Sequence, residues 1–282
     1  MARGFGMIGL VFGACLLTGS PVRASCGLDQ CPVPGDGQAP GVWAVSATTR
    51  YTAVQKDAWY LEQFVGLQRR LGPIDALGLI TPIVHNAQGS ESMTGLGNLV
   101  AYGEWQPISG KKVGLGFHGA LGLQLEMPTS QDDALGDGHF LLMPYGRLAY
   151  VKARWDLRSQ LGWGQSLSGG HHHHHHHHGH EDHGEPHHGD QSLPAVNPHS
   201  SSELLFRTSL SLLTPSKHGQ WRLGLGLDGV QELVDAQRLL LQMQVAMGWT
   251  ASHWGLNLVT DLPVTEARRW DGRLKVGLQR RF

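Results

Sequence analysis

Alternation with period two, sustained over long runs and carried to the last residue, most narrows what this chain can fold into. Leu274, Val276, Leu278 and Phe282 alternate with Arg273, Lys275, Gly277, Gln279 and Arg281, and Arg280 alone breaks the apolar face. Val113, Leu115, Phe117, Leu121, Leu123 and Leu125 alternate with His118, Gln124 and Glu126 in the same way. Trp221, Leu223, Leu225 and Leu227 stand against Arg222, Gly224, Gly226 and Asp228; Leu239 to Trp249 repeats the pattern against Gln242, Gln244 and Gly248. Successive side chains on a strand point to opposite faces, so these are strands with one apolar side and one glycine-rich or charged side. They exceed the usual soluble strand of about 5–6 residues. Long strands that turn apolar groups outward and polar groups inward are the pattern of a transmembrane barrel. A soluble sandwich or lipocalin-like barrel also has period two, but its apolar face points in.

Twelve strands are predicted, at 42–52, 59–71, 75–84, 96–106, 113–127, 139–151, 155–167, 203–214, 220–230, 238–251, 253–263 and 269–282. Twelve is even, as single-chain bacterial barrels require, and the connections alternate between short turns and longer loops. The expected fold is therefore an all-β, antiparallel, up-and-down transmembrane barrel. Short turns belong on the periplasmic side, which makes 85–95, 128–138, 168–202, 231–237 and 264–268 extracellular. The third, fourth and sixth strands alternate least well, and Pro82 and Pro144 interrupt two of them.

The N-terminus reads as a secretory signal: Arg3, an uncharged apolar stretch from Phe5 to Leu17, and Val22-Arg23-Ala24 before cleavage. That divides the chain into a signal at 1–24, a periplasmic lead at 25–41 and a barrel at 42–282. A lipoprotein reading on Cys15 or Cys26 lacks a good lipid-attachment context. In an exported lead, Cys26 and Cys31 are expected to form a small disulfide.

Of 18 histidines, 13 lie within 29 positions: His171 to His178 without a break, then His180, His183, His187, His188 and His199. The eight-residue run resembles a purification tag, yet it sits mid-chain and grades into an irregular GHEDHGEPHHGD tail. The segment has no apolar face, so it is expected to be a solvated loop. Neutral imidazole is a ligand for zinc, copper and nickel. A flexible run with nearby carboxylates predicts several exchangeable divalent ions, held by His171, His172, His173, His174, His175, His176, His177, His178, His180, His183, His187 and His188. The alternatives are a solvated low-complexity loop without function and a pH sensor gaining charge as pH falls through about 6. No motif requires a cofactor.

Inward parity assigns His118, Glu126, Arg158, Arg222, Asp228 and Arg273 to the lumen, with Arg50, Arg70, Glu62, Glu104, Asp156, Arg207, Asp261, Lys275 and Arg281. Such a lining makes either an aqueous path or a plug of mutual salt bridges. The inward glycines Gly66, Gly122, Gly162, Gly164, Gly224, Gly226 and Gly248 leave space for a path. Most of the nine tryptophans fall near strand ends, where aromatic girdles sit. A net charge of −1 without a basic block argues against nucleic acid. The Ser–His neighbours His85/Ser90 and His199/Ser200 lack a supporting triad pattern, and no phosphate loop or zinc-protease motif is present, so no enzyme is expected.

Phe282 at the end of an alternating strand resembles the terminal signature by which outer-membrane barrels are recognised for assembly. Gly95-Leu96-Gly97-Asn98, Gly119 to Ser130 (GALGLQLEMPTS) and Leu135-Gly136-Asp137-Gly138 resemble a family of transporter-like outer-membrane proteins named for the meta-pathway of phenol degradation. That family usually carries Gly-Asp at Gly97-Asn98 and Pro-Thr-Gly at Pro128-Thr129-Ser130. The resemblance covers about a third of the chain and implies a barrel and a transport role, but no substrate. The expected partners are outer-membrane lipid and the barrel-assembly machinery. The expected function is a channel whose extracellular histidine loop binds metal and aids its uptake, with Glu126, His118 and Asp228 as relay ligands. The competing expectation is a non-conducting, metal-buffering or sensing surface barrel.

Overall fold

The computed structural model describes residues 43–54, 57–71, 74–108, 116–130, 132, 134–136, 138–167, 193, 196, 199–234, 237–251 and 253–282. The segment 1–24 expected to be a signal, Cys26, Cys31, and the histidines from His171 to His188 lie outside them. Thirteen strands occur: β1 (Trp43–Ala53), β2 (Ala58–Leu71), β3 (Ile74–Gln88), β4 (Glu91–Leu96), β5 (Leu99–Ile108), β6 (Phe117–Met127), β7 (Leu141–Lys152), β8 (Trp155–Ser166), β9 (Ser202–Ser216), β10 (Gly219–Glu232), β11 (Leu239–Thr250), β12 (Trp254–Pro263) and β13 (Gly272–Arg281). All pair antiparallel, and twelve of them close into a ring through β1–β13 and β2–β3.

The extra strand is β4, which folds back on the upper half of β3 from Gln88↔Glu91 to Ile83↔Leu96. The sequence reading leaves this segment as loop. Below Ile80, β3 pairs instead with β5. Pro82 sits where β3 changes partner, and its carbonyl accepts from Gly97 N at 3.0 Å. Pro144 sits at a similar gap, between Leu142↔Gln165 and Tyr145↔Gly162 in the β7–β8 ladder. Proline has no N–H to donate, and both prolines occupy positions where the ladder is interrupted.

The exterior is apolar. Val65, Leu79, Leu121, Leu148, Leu161, Leu225, Met243 and Leu258 all stand exposed on outward positions, Leu225 at 63%. A continuous face of this kind suits lipid and not water. Arg280, the break in the outward face of β13, lays its guanidinium over the rings of Trp254 and Phe282, 5.7 and 4.7 Å from their centroids. Trp43, Trp105, Trp155, Trp221, Trp249 and Trp254 gather near the end of the barrel where residue 43 and Phe282 meet, called the terminal end below. Trp59 and Trp163 mark the opposite, loop end. Trp270 departs from the girdle: it is buried, with Arg273 stacked 3.2 Å from its centroid.

The interior is not uniformly polar. Ile80 and Val84 on β3, Val100 and Tyr102 on β5, and Leu141, Met143 and Tyr145 on β7 also face inward, so these strands are apolar on both sides. At the loop end two loop residues, Leu135 (5% exposed) and Val196 (3%), pack against Tyr60 and Val84, whereas Tyr102 packs on Phe64 and Ile80, and Leu141 and Met143 on Leu205. The segment around Val196, read from sequence as part of a solvated loop, thus carries a buried anchor.

Close backbone approach requires glycine where aromatic rings lie across the strand. A Cβ on Gly78 would fall within the ring of its direct partner Tyr102, and one on Gly122 within that of Tyr145. The space expected at Gly122 is therefore filled by an aromatic ring, a device that stabilises glycine in sheets.

Candidate functional site

The lumen is the candidate site, and cross-strand register builds it. Directly paired inward positions run Ala120, Arg147, Gln160, Arg207, Asp228 and Gln242 across β6 to β11. The next row runs His118, Ala149, Arg158, Ser209, Gly226, Gln244, Asp261 and Arg273 across β6 to β13. Gln244 in the second row therefore reaches Asp228 in the first.

The resulting network is a septum of side chains that runs strand to strand along the inner wall from β9 to β13. Arg207 pairs with Asp228, Nε to Oδ1 at 2.7 Å. Gln244 Nε2 donates to Asp228 Oδ2 at 3.4 Å and to Asp261 Oδ1 at 3.0 Å. Lys275 Nζ lies 2.7 Å from Asp261 Oδ2. Beside this septum, Arg50 pairs with Glu62 and Arg147 with Glu104. Tyr145 also donates to Glu104, at 3.1 Å. A charge removed from water is tolerable only with such partners.

The septum separates two cavities, and Arg207 lines both. The loop-end cavity, of about 140 Å³, is mixed: Val84, Leu135 and Val196 share its wall with Glu126, His199 and Glu203. The terminal-end cavity, of about 250 Å³, is lined by Arg147, Arg158, Arg207 and Arg222 with amides, hydroxyls and glycines.

At the loop end His199 stands between two carboxylates, its Nδ1 2.7 Å from Glu203 Oε1 and its Nε2 3.8 Å from Glu126 Oε2. Arg269 bridges Glu203 at 2.7 Å and Glu232 at 3.2 Å. Arg238, in the connection after β10, hydrogen-bonds Glu232, which raises its pKa above the ordinary arginine value and keeps this rim charged.

The segments carrying the family resemblance meet at this end. Asn98 Nδ2 donates to Glu126 Oε1 at 2.9 Å. Thr129 Oγ1 donates to Gly97 O and accepts from Leu99 N, both at 2.9 Å. A Cβ on Gly136 would come 2.5 Å from Asn98 Oδ1, and one on Gly97 would come 2.8 Å from Pro82 and 2.9 Å from Val84. These contacts hold the β6–β7 connection folded into the barrel.

His118, Glu126, Arg158, Arg222, Asp228 and Arg273 all occupy inward positions. They do not converge. Glu126 and Asp228 line the loop-end cavity, Glu126 bonded to Asn98 and Asp228 paired with Arg207. His118 lies towards the terminal end, 3.5 Å from Gln106. The relay of these three residues expected from sequence is not assembled, and among the described residues no cluster of three or more His, Cys, Asp or Glu side chains forms a metal site. His85 contacts Thr94 at 2.6 Å and stacks on Trp59 at 5.2 Å, away from the lumen. Ser200 Oγ donates to Ser202 O at 2.7 Å. Sequence reading missed Arg147, Glu203, Glu232, Arg269 and Trp270.

No family model and no curated protein matches the chain. Solved structures do. An outer-membrane channel from Pseudomonas putida F1 is similar with a TM-score of 0.61 at 11% identity, over 89% of this chain and 99% of that one. The NanC porin has a TM-score of 0.47 at 6% identity, over 84% and 98% of the two chains. The translocator domain of the autotransporter NalP from Neisseria meningitidis has 0.45 at 11%, over 88% and 90%. At these identities the likeness is one of fold.

Proposed function

We propose that the protein is a bacterial outer-membrane channel, normally closed, with its loop end outside the cell and a metal-binding histidine loop at that mouth. The observation that carries the channel reading is the septum. Arg207, Asp228 and Gln244 stand where the two cavities meet, joined through Asp261 to Lys275, and all of these contacts are made by side chains and not by backbone. Side-chain barriers open by rotamer and ion-pair exchange, without refolding the barrel. The apolar exterior and the fold shared with an outer-membrane channel support the membrane location. The short turns at the terminal end support a periplasmic position for it, and the transporter-like segments at 95–98, 119–130 and 135–138 support transport.

The run His171 to His178 with His180, His183, His187 and His188 supports binding of zinc, copper or nickel by composition. Because no relay is assembled inside, the loop acts at the mouth, raising local metal concentration there. The salt-bridged septum also favours a second reading: a non-conducting barrel that buffers or senses metal. Planar-bilayer recording separates the two. Resolved conductance steps support the channel; their absence with and without residues 169–190 leaves the buffer. Deleting 169–190 in the native host, under zinc, copper and nickel limitation and excess, tests the loop. An assembled barrel with unchanged growth under every regime would remove the metal role.

A further inference from the structure

Charge in this lumen is balanced overall but sorted along its length. At the loop end Glu62, Glu126, Glu203 and Asp228 share the cavity wall with Arg50, Arg207, Arg269 and Arg273. The terminal-end cavity is lined by four arginines and no carboxylate. The carboxylates that hold those guanidinium groups, Glu104, Asp156 and Asp228, lie outside its wall. Asp156 is fully buried and serves two arginines, Arg158 at 2.5 Å and Arg222 at 2.6 Å. The Arg222 side chain keeps 29% of its surface exposed and Arg158 17%, so both present guanidinium to the cavity while tied to Asp156. Facing them are the small residues Ser211, Gly224 and Ala246, which make the room.

We infer that this chamber is an anion site, selecting small carboxylate- or phosphate-bearing solutes over cations. Guanidinium is a planar fork that matches carboxylate and phosphate oxygens in pairs. A chamber of about 250 Å³ is smaller than the roughly 300–1,000 Å³ of drug-sized ligand sites, which restricts it to small anions with water. The amides and hydroxyls around the arginines supply further donors. For a bare divalent cation the same chamber is a barrier, so an ion captured at the mouth would not cross it uncomplexed.

The selectivity rests on the channel reading, whereas anion binding does not, and the experiment keeps them apart. Reversal potentials are measured across a potassium chloride gradient for the wild type, R222Q and the triple variant D156N/R158Q/R222Q. The triple change removes one net positive charge without leaving Asp156 buried and unpaired; E266Q, on an exposed loop, is the control. The wild type is expected to prefer chloride, R222Q to lose about fivefold of that preference, the scale of one charge at contact distance in a watery lumen, and the triple variant to lose most of it. In parallel, the detergent-purified barrel is titrated calorimetrically with succinate and with inorganic phosphate, and the two arms distinguish the sources. Heat of binding to either probe that disappears in the triple variant supports the site even if no conductance is found, an outcome that would reject only the channel. Cation preference in a conducting wild type, selectivity unchanged in the triple variant, or no binding of either probe overturns the inference.

Discussion

Arg207 and Asp228 face each other directly across β9 and β10, and their ion pair stands between the two cavities of the lumen. Both side chains are largely buried, so removing one partner strands the other. D228A is expected to lower stability in urea by about 3 kcal/mol, the cost of breaking a buried pair. R207M/D228L, which removes both charges, is expected to recover most of that loss. Equal destabilisation by the single and the double change would show that the pair has no special role.

Leu135 and Val196 fill a cluster with Tyr60 and Val84 at the loop end of the lumen. Truncation of Leu135 to alanine is expected to cost about 2–4 kcal/mol locally, and V196D to release its segment outright. Both variants should show longer open times in bilayer recordings. Unaltered gating in V196D would mean that this cluster does not control access.

Gly122 and Tyr145 are cross-strand partners with the phenol reaching Glu104 at 3.1 Å. In G122A the ring must rotate away, which breaks that bond. A loss of roughly 1–3 kcal/mol is expected from overpacking. Much of it should vanish in G122A/Y145S, because the two changes share one cause. Additive losses in the double-mutant cycle would contradict the ring-over-glycine account.

Phe282 donates its backbone N–H to Trp43 O at 3.1 Å and lies under Arg280. Deleting Phe282 is expected to slow assembly, read as less of the heat-modifiable folded band in outer-membrane fractions. R280Q, which keeps the terminal residue, should assemble at close to the normal rate. A deletion variant that assembles like the wild type would disconnect this residue from recognition.

Strand positions were readable wherever one face alone is apolar, as on β10, β11 and β13. On β3 the inward face is apolar too at Val84, where Leu135 and Val196 pack from loops 51 and 112 residues further along the chain, and on β5 and β7 inward apolar residues pack against Phe64, Ile80 and Leu205. No local period can reveal a partner that arrives from another loop. The same ambiguity hid Arg147, flanked on its face by Tyr145 and Ala149. β4 was missed because six residues with Gly95 near their end carry no clear face. Glu203 and Arg269 sit at strand margins, where parity assigns no direction. Their ion pair becomes visible only when a separation of 66 positions is closed by bringing β9 and the approach to β13 together.

Val196 has one more consequence. It is fixed in the barrel mouth, and His188 lies eight residues before it in the chain. A chain of that length reaches at most about 28 Å. On the proposed metal-binding reading, an ion held by His188 would stay within that reach of Val196, equivalent to a concentration on the order of tens of millimolar, as expected for a short tether. For such an ion, the abundance of metal in the surrounding medium ceases to set how often it meets the mouth; the length of the leash does.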